Sequence, residues 1–234
     1  MSLGLLGGGG SILTVPVLVY VLGYPVKTAI PMSLVVVGIT SLLAAAGHAR
    51  AGMVHWRAAV AFGPPAVVGA LAGAQLGLRV PAGLQLGLFA VIMMLAAGAM
   101  WAGPQRWAGG AAPAPRPLGR VGLLGAAVGV LTGLVGVGGG FLYVPVLVLL
   151  AGLEMKPAVG TSLLLIVLSS AAGFARYAGS VALDWGVIAT FTGLAFLGAL
   201  AGTRLGRSAS PGALRRGFAL LLLVMGVAVL LRGP

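Results

Sequence analysis

The chain has 234 residues, of which 60% are apolar and only 7% are charged. A soluble domain carries about 25% charged residues, so this composition excludes an ordinary soluble fold and indicates an all-α integral membrane protein. The 14 basic residues face only two acidic ones, which gives a net charge of +12. Their scatter through short loops is typical of cytoplasmic loops and argues against nucleic-acid binding. The absence of cysteine excludes disulfides and thiolate metal sites.

Residues 1–102 form a first membrane repeat. A glycine cluster at Gly7–Gly10 opens it, and three apolar segments of about 18–21 residues follow, each long enough to cross a hydrocarbon core. These segments are Thr28–Gly47, Ala58–Leu78 and Leu84–Trp101. We therefore predict a glycine-broken helix followed by three transmembrane helices.

A linker at 103–119 follows this unit. It is rich in Pro, Gly and Ala, and we interpret it as a flexible or extended connector. A polyproline ligand at Pro113, Pro115 and Pro117 is the alternative, but the composition favours a plain spacer.

Residues 120–234 form a second repeat on the same plan. Its glycine-rich segment runs from Arg120 to Ala151, and one continuous helix of that length would measure ~48 Å, well over the hydrocarbon core. The cluster Gly136–Gly140 divides this segment, so it is either one broken, tilted crossing or a re-entrant hairpin that enters and leaves on one side. Three further spans follow at Pro157–Ala175, Gly186–Leu205 and Leu214–Leu231.

The two repeats match at a constant offset of 129 positions, which relates Gly10 to Gly139 and Trp56 to Trp185. The same offset relates Val15-Pro16 to Val144-Pro145, and Gly69 and Gly73 to Gly198 and Gly202. We interpret the paired Gly69/Gly73 and Gly198/Gly202 as close-packing positions between helices. Two copies of an apolar unit with a broken helix are the plan of many secondary transporters.

Loop charges favour one arrangement of the glycine segments. If both segments cross the membrane, the basic residues divide seven against seven. If both are re-entrant, the repeats are inverted, and ten basic residues lie on one side against four on the other, a clear positive-inside bias. The ten are Arg50, Arg57, Arg106, Arg116, Arg120, Lys156, Arg204, Arg207, Arg215 and Arg216, and the four are Lys27, Arg79, Arg176 and Arg232. We therefore predict inverted repeats with a cytoplasmic linker and both termini outside.

The start of the first repeat departs from this symmetry. Only Met1–Leu6 precede its glycine cluster, whereas Arg120–Val135 precede the second. We therefore expect the first half-helix to be truncated by about ten residues, and we expect no cleavable signal peptide because a basic n-region is missing.

The glycine clusters are the candidate substrate site. Successive glycines at a break free backbone N–H groups, and helices predicted to begin just after them, at Ile12 and Phe141, add the positive end of a dipole. Such a site binds an anion without a charged side chain, and Pro16 and Pro145 suit helices that start nearby. The candidate substrate-binding residues are Gly8, Gly9, Gly10, Ser11, Thr14, Gly138, Gly139, Gly140 and Tyr143, with Ser33, Thr161 and Ser162 in the helices that follow. The competing interpretation is that the glycines only permit close packing.

The remaining polar residues have plainer interpretations. Lys27 and Lys156, which match across the repeats, are interfacial anchors or attract an anion at each mouth. We interpret Arg50 and Arg176 as helix-end anchors, with substrate gating as the less favoured alternative. The two histidines and two acidic residues form no catalytic or metal-binding pattern, so we predict neither an enzyme nor a cofactor.

The paired motifs resemble the sulfite exporter TauE/SafE family of bacterial membrane transporters. The resemblance rests on Gly7–Gly10 with Val15-Pro16, on Gly136–Gly140 with Val144-Pro145, and on Asp184-Trp185, for which the first repeat has His55-Trp56. It implies export or uptake of sulfite, sulfonates and related organosulfur anions, and a multi-pass location in the bacterial inner membrane.

The sequence thus predicts a secondary transporter of small anions that alternates access around two glycine tips in the lipid bilayer. Two alternatives stay open: an anion channel, and a non-transporting membrane accessory subunit. No coupling ion is indicated, because neither acidic residue lies deep in a predicted helix, and the oligomeric state is open.

Overall fold

The computed structural model describes residues 9–102, 118–135, 140–177, 179, 181–208 and 211–232. These residues form nine α-helices, a π-helical turn and no strand. The helices are α1 Gly9–Tyr20, α2 Val26–Arg50, α3 Trp56–Arg79, α4 Ala82–Ala102, α5 Leu118–Val135, α6 Gly140–Pro145, α7 Met155–Tyr177, α8 Trp185–Ser208 and α9 Pro211–Arg232, and the π-helical turn Val146–Leu150 continues α6.

The helices confirm the all-α membrane class. Five of them have the length and composition of membrane spans: α2, α3, α4, α7 and Gly212–Leu231 of α9. The sixth predicted span lies within α8, whose stretch Trp185–Gly198 is also apolar. Each predicted span therefore falls inside an observed helix.

The broken helices start and bend at positions that differ from the prediction. α1 is already helical at Gly9 and α6 at Gly140, the first residues described in each helix, so both are helical before the predicted starts at Ile12 and Phe141. Pro16 lies in the middle of α1 and Pro145 at the change from α-helix to π-helix, so neither marks a helix start. Proline removes a backbone donor, which accounts for the change of helix type at Pro145.

Helices α3 and α5 pack against each other through glycine on both sides. Near the start of α3, Phe62 lies beside Gly125, and near its end, Gly77 lies beside Leu134. The two helices are therefore parallel. A Cβ atom added at Gly129 would lie 2.9 Å from the Ala66 Cα, so the backbones approach closely enough to exclude a side chain. The close-packing interpretation of Gly69 and Gly73 is confirmed, because both face the α5 backbone.

Helices α2 and α7, which correspond at the offset of 129, run antiparallel. Leu34 on α2 lies beside Gly173 on α7. His48, later on α2, lies beside Gly160, earlier on α7. We call the end of the bundle where α2 begins the A end, and the opposite end the B end.

The direction of α5 follows from its neighbours. Gly63 of α3 lies beside Leu165 of α7, and Gly77 of α3 beside Tyr177 of α7, so α3 and α7 are parallel. Because α7 runs from the B end to the A end and α5 is parallel to α3, α5 also begins at the B end.

The other helices complete the bundle around α2 and α7. α4 packs along α9, and α1 contacts both α2 and α6. The N-terminal part of α8 packs on α2, with Ile188 against Ala29 and Met32. The buried core surrounds α6 and α7, and its apolar residues include Tyr143, Leu147, Leu163 and Ile166.

Candidate functional site

Buried hydroxyl groups line α2 and α7 at corresponding positions. Each pair is related by the offset of 129, and all six side chains are at most 2% exposed. The pairs are Ser33 with Ser162, Thr40 with Ser169, and Ser41 with Ser170. Hydroxyl side chains in membrane helices bond to the backbone or to a neighbouring helix, but a set that recurs at corresponding positions of two repeats and is partly unpartnered also fits a binding site. The paired hydroxyls are therefore the strongest candidate site among the described residues.

Three of these hydroxyls bond within their own helix. Thr40 Oγ1 donates to the Val36 carbonyl at 2.7 Å, and Ser169 Oγ donates to the Leu165 carbonyl at 2.8 Å. Ser162 Oγ donates to Val159 in the same manner. Such bonds satisfy the hydroxyl hydrogen but leave an oxygen lone pair for another donor.

The other three hydroxyls have no hydrogen-bond partner among the described residues: Ser33, Ser41 and Ser170. Leaving a buried hydroxyl unpaired costs about 1–3 kcal/mol. Unpaired buried polar groups are commonly found where a water molecule or ligand completes the site. These three positions therefore favour a polar occupant near the α2–α7 crossing.

Helix α6 brings Tyr143 to the same place. Its ring is buried, and its hydroxyl lies beside the side chains of Ser169 on α7 and Thr132 on α5. Thr132 in turn donates to the Gly129 carbonyl at 2.8 Å. Hydroxyls from both arms of the second glycine segment thus converge on α7.

The predicted glycine residues lie partly outside the described residues. Gly8, Gly138 and Gly139 are not described. Gly9, Gly10 and Ser11 are the first described residues of α1, and Gly140 is the first described residue of α6. Tyr143 lies three residues after Gly140, so its side chain connects this part of α6 with the buried hydroxyls of Thr132 and Ser169.

The other predicted site residues divide into two groups. Thr14, Ser33 and Ser162 are buried in α1, α2 and α7. Thr161 is also buried, but its hydroxyl accepts a hydrogen bond from the His55 backbone N–H at 2.9 Å. That bond fixes α7 to the chain just before α3, at the B end.

Lys27 makes a contact that neither predicted role, interfacial anchor or attractor of anions, included. Its ammonium donates to the carbonyls of Gly77 and Val80 at 2.5 Å each, and so caps the C-terminal end of α3. Cations are favourable at this end of a helix. Arg176, in the last turn of α7, contacts the Gln75 side chain.

Equivalent turns cap α3 and α8. The His55 ring accepts from the Ala58 N–H at 3.2 Å, and Asp184 accepts from the Val187 N–H at 3.0 Å. Asp184 also accepts from the Tyr24 hydroxyl at 2.7 Å. The bonds from Val187 and Tyr24 hold the pKa of Asp184 below its ordinary value, and the bond to Asp184 raises the pKa of Tyr24.

Sequence reasoning missed several residues of the site. Thr40, Ser41, Ser169 and Ser170 match at the same offset as the glycine clusters, so the repeat itself held the signal. Thr132 has no such signal, because its role depends on the approach of α5 to Tyr143.

The fold and the buried polar groups define a multi-pass, all-helical membrane protein. A family model described as Sulfite exporter TauE/SafE matches residues 1–229. The chain therefore belongs to the sulfite exporter TauE/SafE family, and the predicted family resemblance is confirmed.

Named relatives agree with this membership. A "Probable membrane transporter protein" of Xylella fastidiosa (strain Temecula1) is 34% identical over an alignment of 246 positions with gaps, which covers 99% of this chain and 90% of the relative. The "Probable membrane transporter protein YdhB" of Bacillus subtilis is 29% identical over 173 residues, 70% of this chain and 69% of the relative. A third, MJ0441 of Methanocaldococcus jannaschii, is 28% identical over 179 residues, 74% of this chain and 66% of the relative. These are names of transporters and not of enzymes. No solved structure matches the chain.

Proposed function

We propose that the protein is a secondary transporter of small anions, with sulfite, sulfonates and other organosulfur anions as the substrate class. The observation that carries the proposal is the set of duplicated buried hydroxyls on α2 and α7, joined by Tyr143. An oxyanion accepts hydrogen bonds, and Ser33, Ser41 and Ser170 have a hydroxyl hydrogen available for it, whereas Thr40, Ser162 and Ser169 would exchange their intrahelical bond for one to the anion. The family supplies the substrate class.

We propose further that the chain is built of two inverted repeats with re-entrant glycine segments. Two observations support this. The corresponding helices α2 and α7 run antiparallel, and α5 and α7 both begin at the B end, as a re-entrant segment between them requires. Arg50, Arg57 and Lys156 then lie at the B end, which the positive-inside rule places in the cytoplasm of the bacterial inner membrane.

The mechanism follows from this arrangement. We propose that α1 and α6 start close to Gly9, Gly10 and Gly140 and offer backbone N–H groups and the positive ends of two helix dipoles to one anion. The hydroxyls on α2 and α7 complete the site from the side. Rocking of one repeat against the other would open it first to one face and then to the other.

Flux into proteoliposomes tests the proposal. We expect saturable uptake of labelled sulfite or of a small sulfonate, and we expect Ser169→Ala to reduce it at least tenfold. The matched control is Thr190→Ala, since Thr190 makes the same type of bond within an exposed part of α8. Equal loss in both variants, or no loss in either, would contradict the assigned site.

An anion channel is the second candidate, and the unpartnered hydroxyls are compatible with it. Planar-bilayer recording separates the two. Currents of single-channel size would show that the protein is a channel and not a carrier, whereas flux without such currents favours the carrier.

A further inference from the structure

A buried amide joins three helices at the A end. Gln85, in the first turn of α4, is 1% exposed. Its side-chain nitrogen donates to the Gly77 carbonyl of α3 at 3.1 Å and to the Leu134 carbonyl of α5 at 2.7 Å. An amide nitrogen carries two hydrogens, so both are used. Breaking either bond would leave a buried polar group without a partner, and the amide therefore fixes α5 against α3.

Other side chains surround this bridge. A Cβ at Gly77 would lie 2.9 Å from the Leu134 oxygen and 3.1 Å from the Gln85 nitrogen, so the bridge requires a glycine there. The Lys27 ammonium of α2 donates to the same Gly77 carbonyl. The Tyr177 hydroxyl of α7 lies beside the Gln85 side chain. Contacts from α2 and α7 thus enclose the bridge and limit the movement of the amide.

The bridge lies close along the chain to the candidate site. Leu134 is two residues after Thr132, whose side chain lies beside the Tyr143 hydroxyl. Tyr143 in turn lies beside Ser169. A shift of Leu134 would move Thr132 with it, because both belong to α5. We propose that Gln85 is a positioning residue of the anion site. By holding Leu134 against α3, it keeps Thr132 beside Tyr143.

The second repeat has no amide at the corresponding position. Leu214 is the counterpart of Gln85 at the offset of 129, and its side chain makes no hydrogen bond. The buried hydroxyls, by contrast, recur in both repeats. The positioning role is therefore specific to the side of the site that α5 and α6 supply.

Transport kinetics of single and double variants test this role. Gln85→Met keeps the length of the side chain but removes both donors, and Thr132→Val removes the hydroxyl through which Gln85 acts. We would measure the KM for a transported sulfonate in proteoliposomes. Each variant should raise the KM about 2–10-fold, the factor expected for one misplaced hydrogen bond. The double variant should have the same KM as Thr132→Val alone, because the two residues act in one line of contacts.

A residue that only stabilises the fold would behave differently. Met93→Ala is the matched control, since Met93 is fully buried on the same helix and belongs to the apolar core. It should lower the melting temperature without raising the KM. The proposal is overturned if Gln85→Met leaves the KM unchanged, or if the two effects multiply in the double variant. An equal rise in Met93→Ala overturns it as well. Should Gln85→Met not fold, Gln85→Asn carries the same test, because its shorter amide cannot reach both carbonyls.

This role rests on the proposed function, but thiol labelling separates the two. In a Ser169→Cys protein, the Tyr143 and Thr132 side chains should cover the thiol. Adding Gln85→Met should raise its rate of labelling by a small maleimide about 2–10-fold, whereas adding Met93→Ala should not. If the unsubstituted protein moves no anion, the proposed transport is wrong. An unchanged labelling rate with Gln85→Met would still overturn the positioning role.

Discussion

The contact between α3 and α5 sets a steric limit that a single methyl group should exceed. A Cβ at Gly129 would lie 2.9 Å from the Ala66 Cα, whereas carbon atoms in ordinary contact are about 3.5–4.0 Å apart. The Ala66 carbonyl oxygen lies nearer still, so Gly129→Ala requires the two helices to separate by at least about 0.6 Å. Overpacking of this kind costs about 1–3 kcal/mol, and alanine recovers up to about 1 kcal/mol through its higher helix propensity.

Gly98→Ala provides the matched control, because a Cβ at Gly98 meets nothing within 4 Å. It gains the same helix propensity without the clash, so the difference between the two variants isolates the packing cost. We expect Gly129→Ala to melt about 2–10 °C below Gly98→Ala in the same detergent. Its flux should also fall, since Thr132 bonds to the Gly129 carbonyl and moves with α5. Equal melting temperatures would refute the close backbone approach.

Three other predictions test separate parts of the site. Gly138→Leu should abolish flux, because a bulky side chain at the glycine tip blocks an anion; unchanged flux would exclude the tip from the pathway. Thr40→Val, which keeps the shape but removes the hydroxyl, should reduce flux at least tenfold without lowering stability. Asp184→Asn should lower the pKa of Tyr24, read as tyrosinate absorbance against a Tyr24→Phe blank. Their bond should persist from the lowered pKa of Asp184 to the raised pKa of Tyr24, and be lost as the pH falls below the first or rises above the second.

The membrane spans were predictable because their signal is local. A run of about 20 apolar residues has few alternatives to a transmembrane helix, and each predicted span lies within an observed helix. The duplication was equally visible, since the offset of 129 needs no structure. Helix starts were less predictable: Gly9, Gly10 and Gly140 are already helical because neighbouring helices override the low helix propensity of glycine.

The polar contacts were predictable only in part. The pairing of Thr40 with Ser169 follows from the repeat, but the approach of Tyr143 and Thr132 to Ser169 depends on how α5 and α6 fold back onto α7. Lys27 was predicted as an anchor or an attractor of anions. Its bonds reach Gly77 and Val80, which lie 50 and 53 residues further along the chain, and no local sequence pattern predicts such contacts.

Alternating access at the α2–α7 crossing is the central claim, and thiol labelling tests it most directly. The chain has no cysteine, so Thr40→Cys and Ser169→Cys each provide a single reactive group. Leu95→Cys, at a position that is 69% exposed on a membrane span, is the control that a membrane-impermeant reagent should not reach. We expect an impermeant maleimide to label both site variants from either side of the membrane, and a transported sulfonate to slow the labelling. Labelling of the site variants from one side only would contradict the account. So would labelling whose rate a sulfonate does not change.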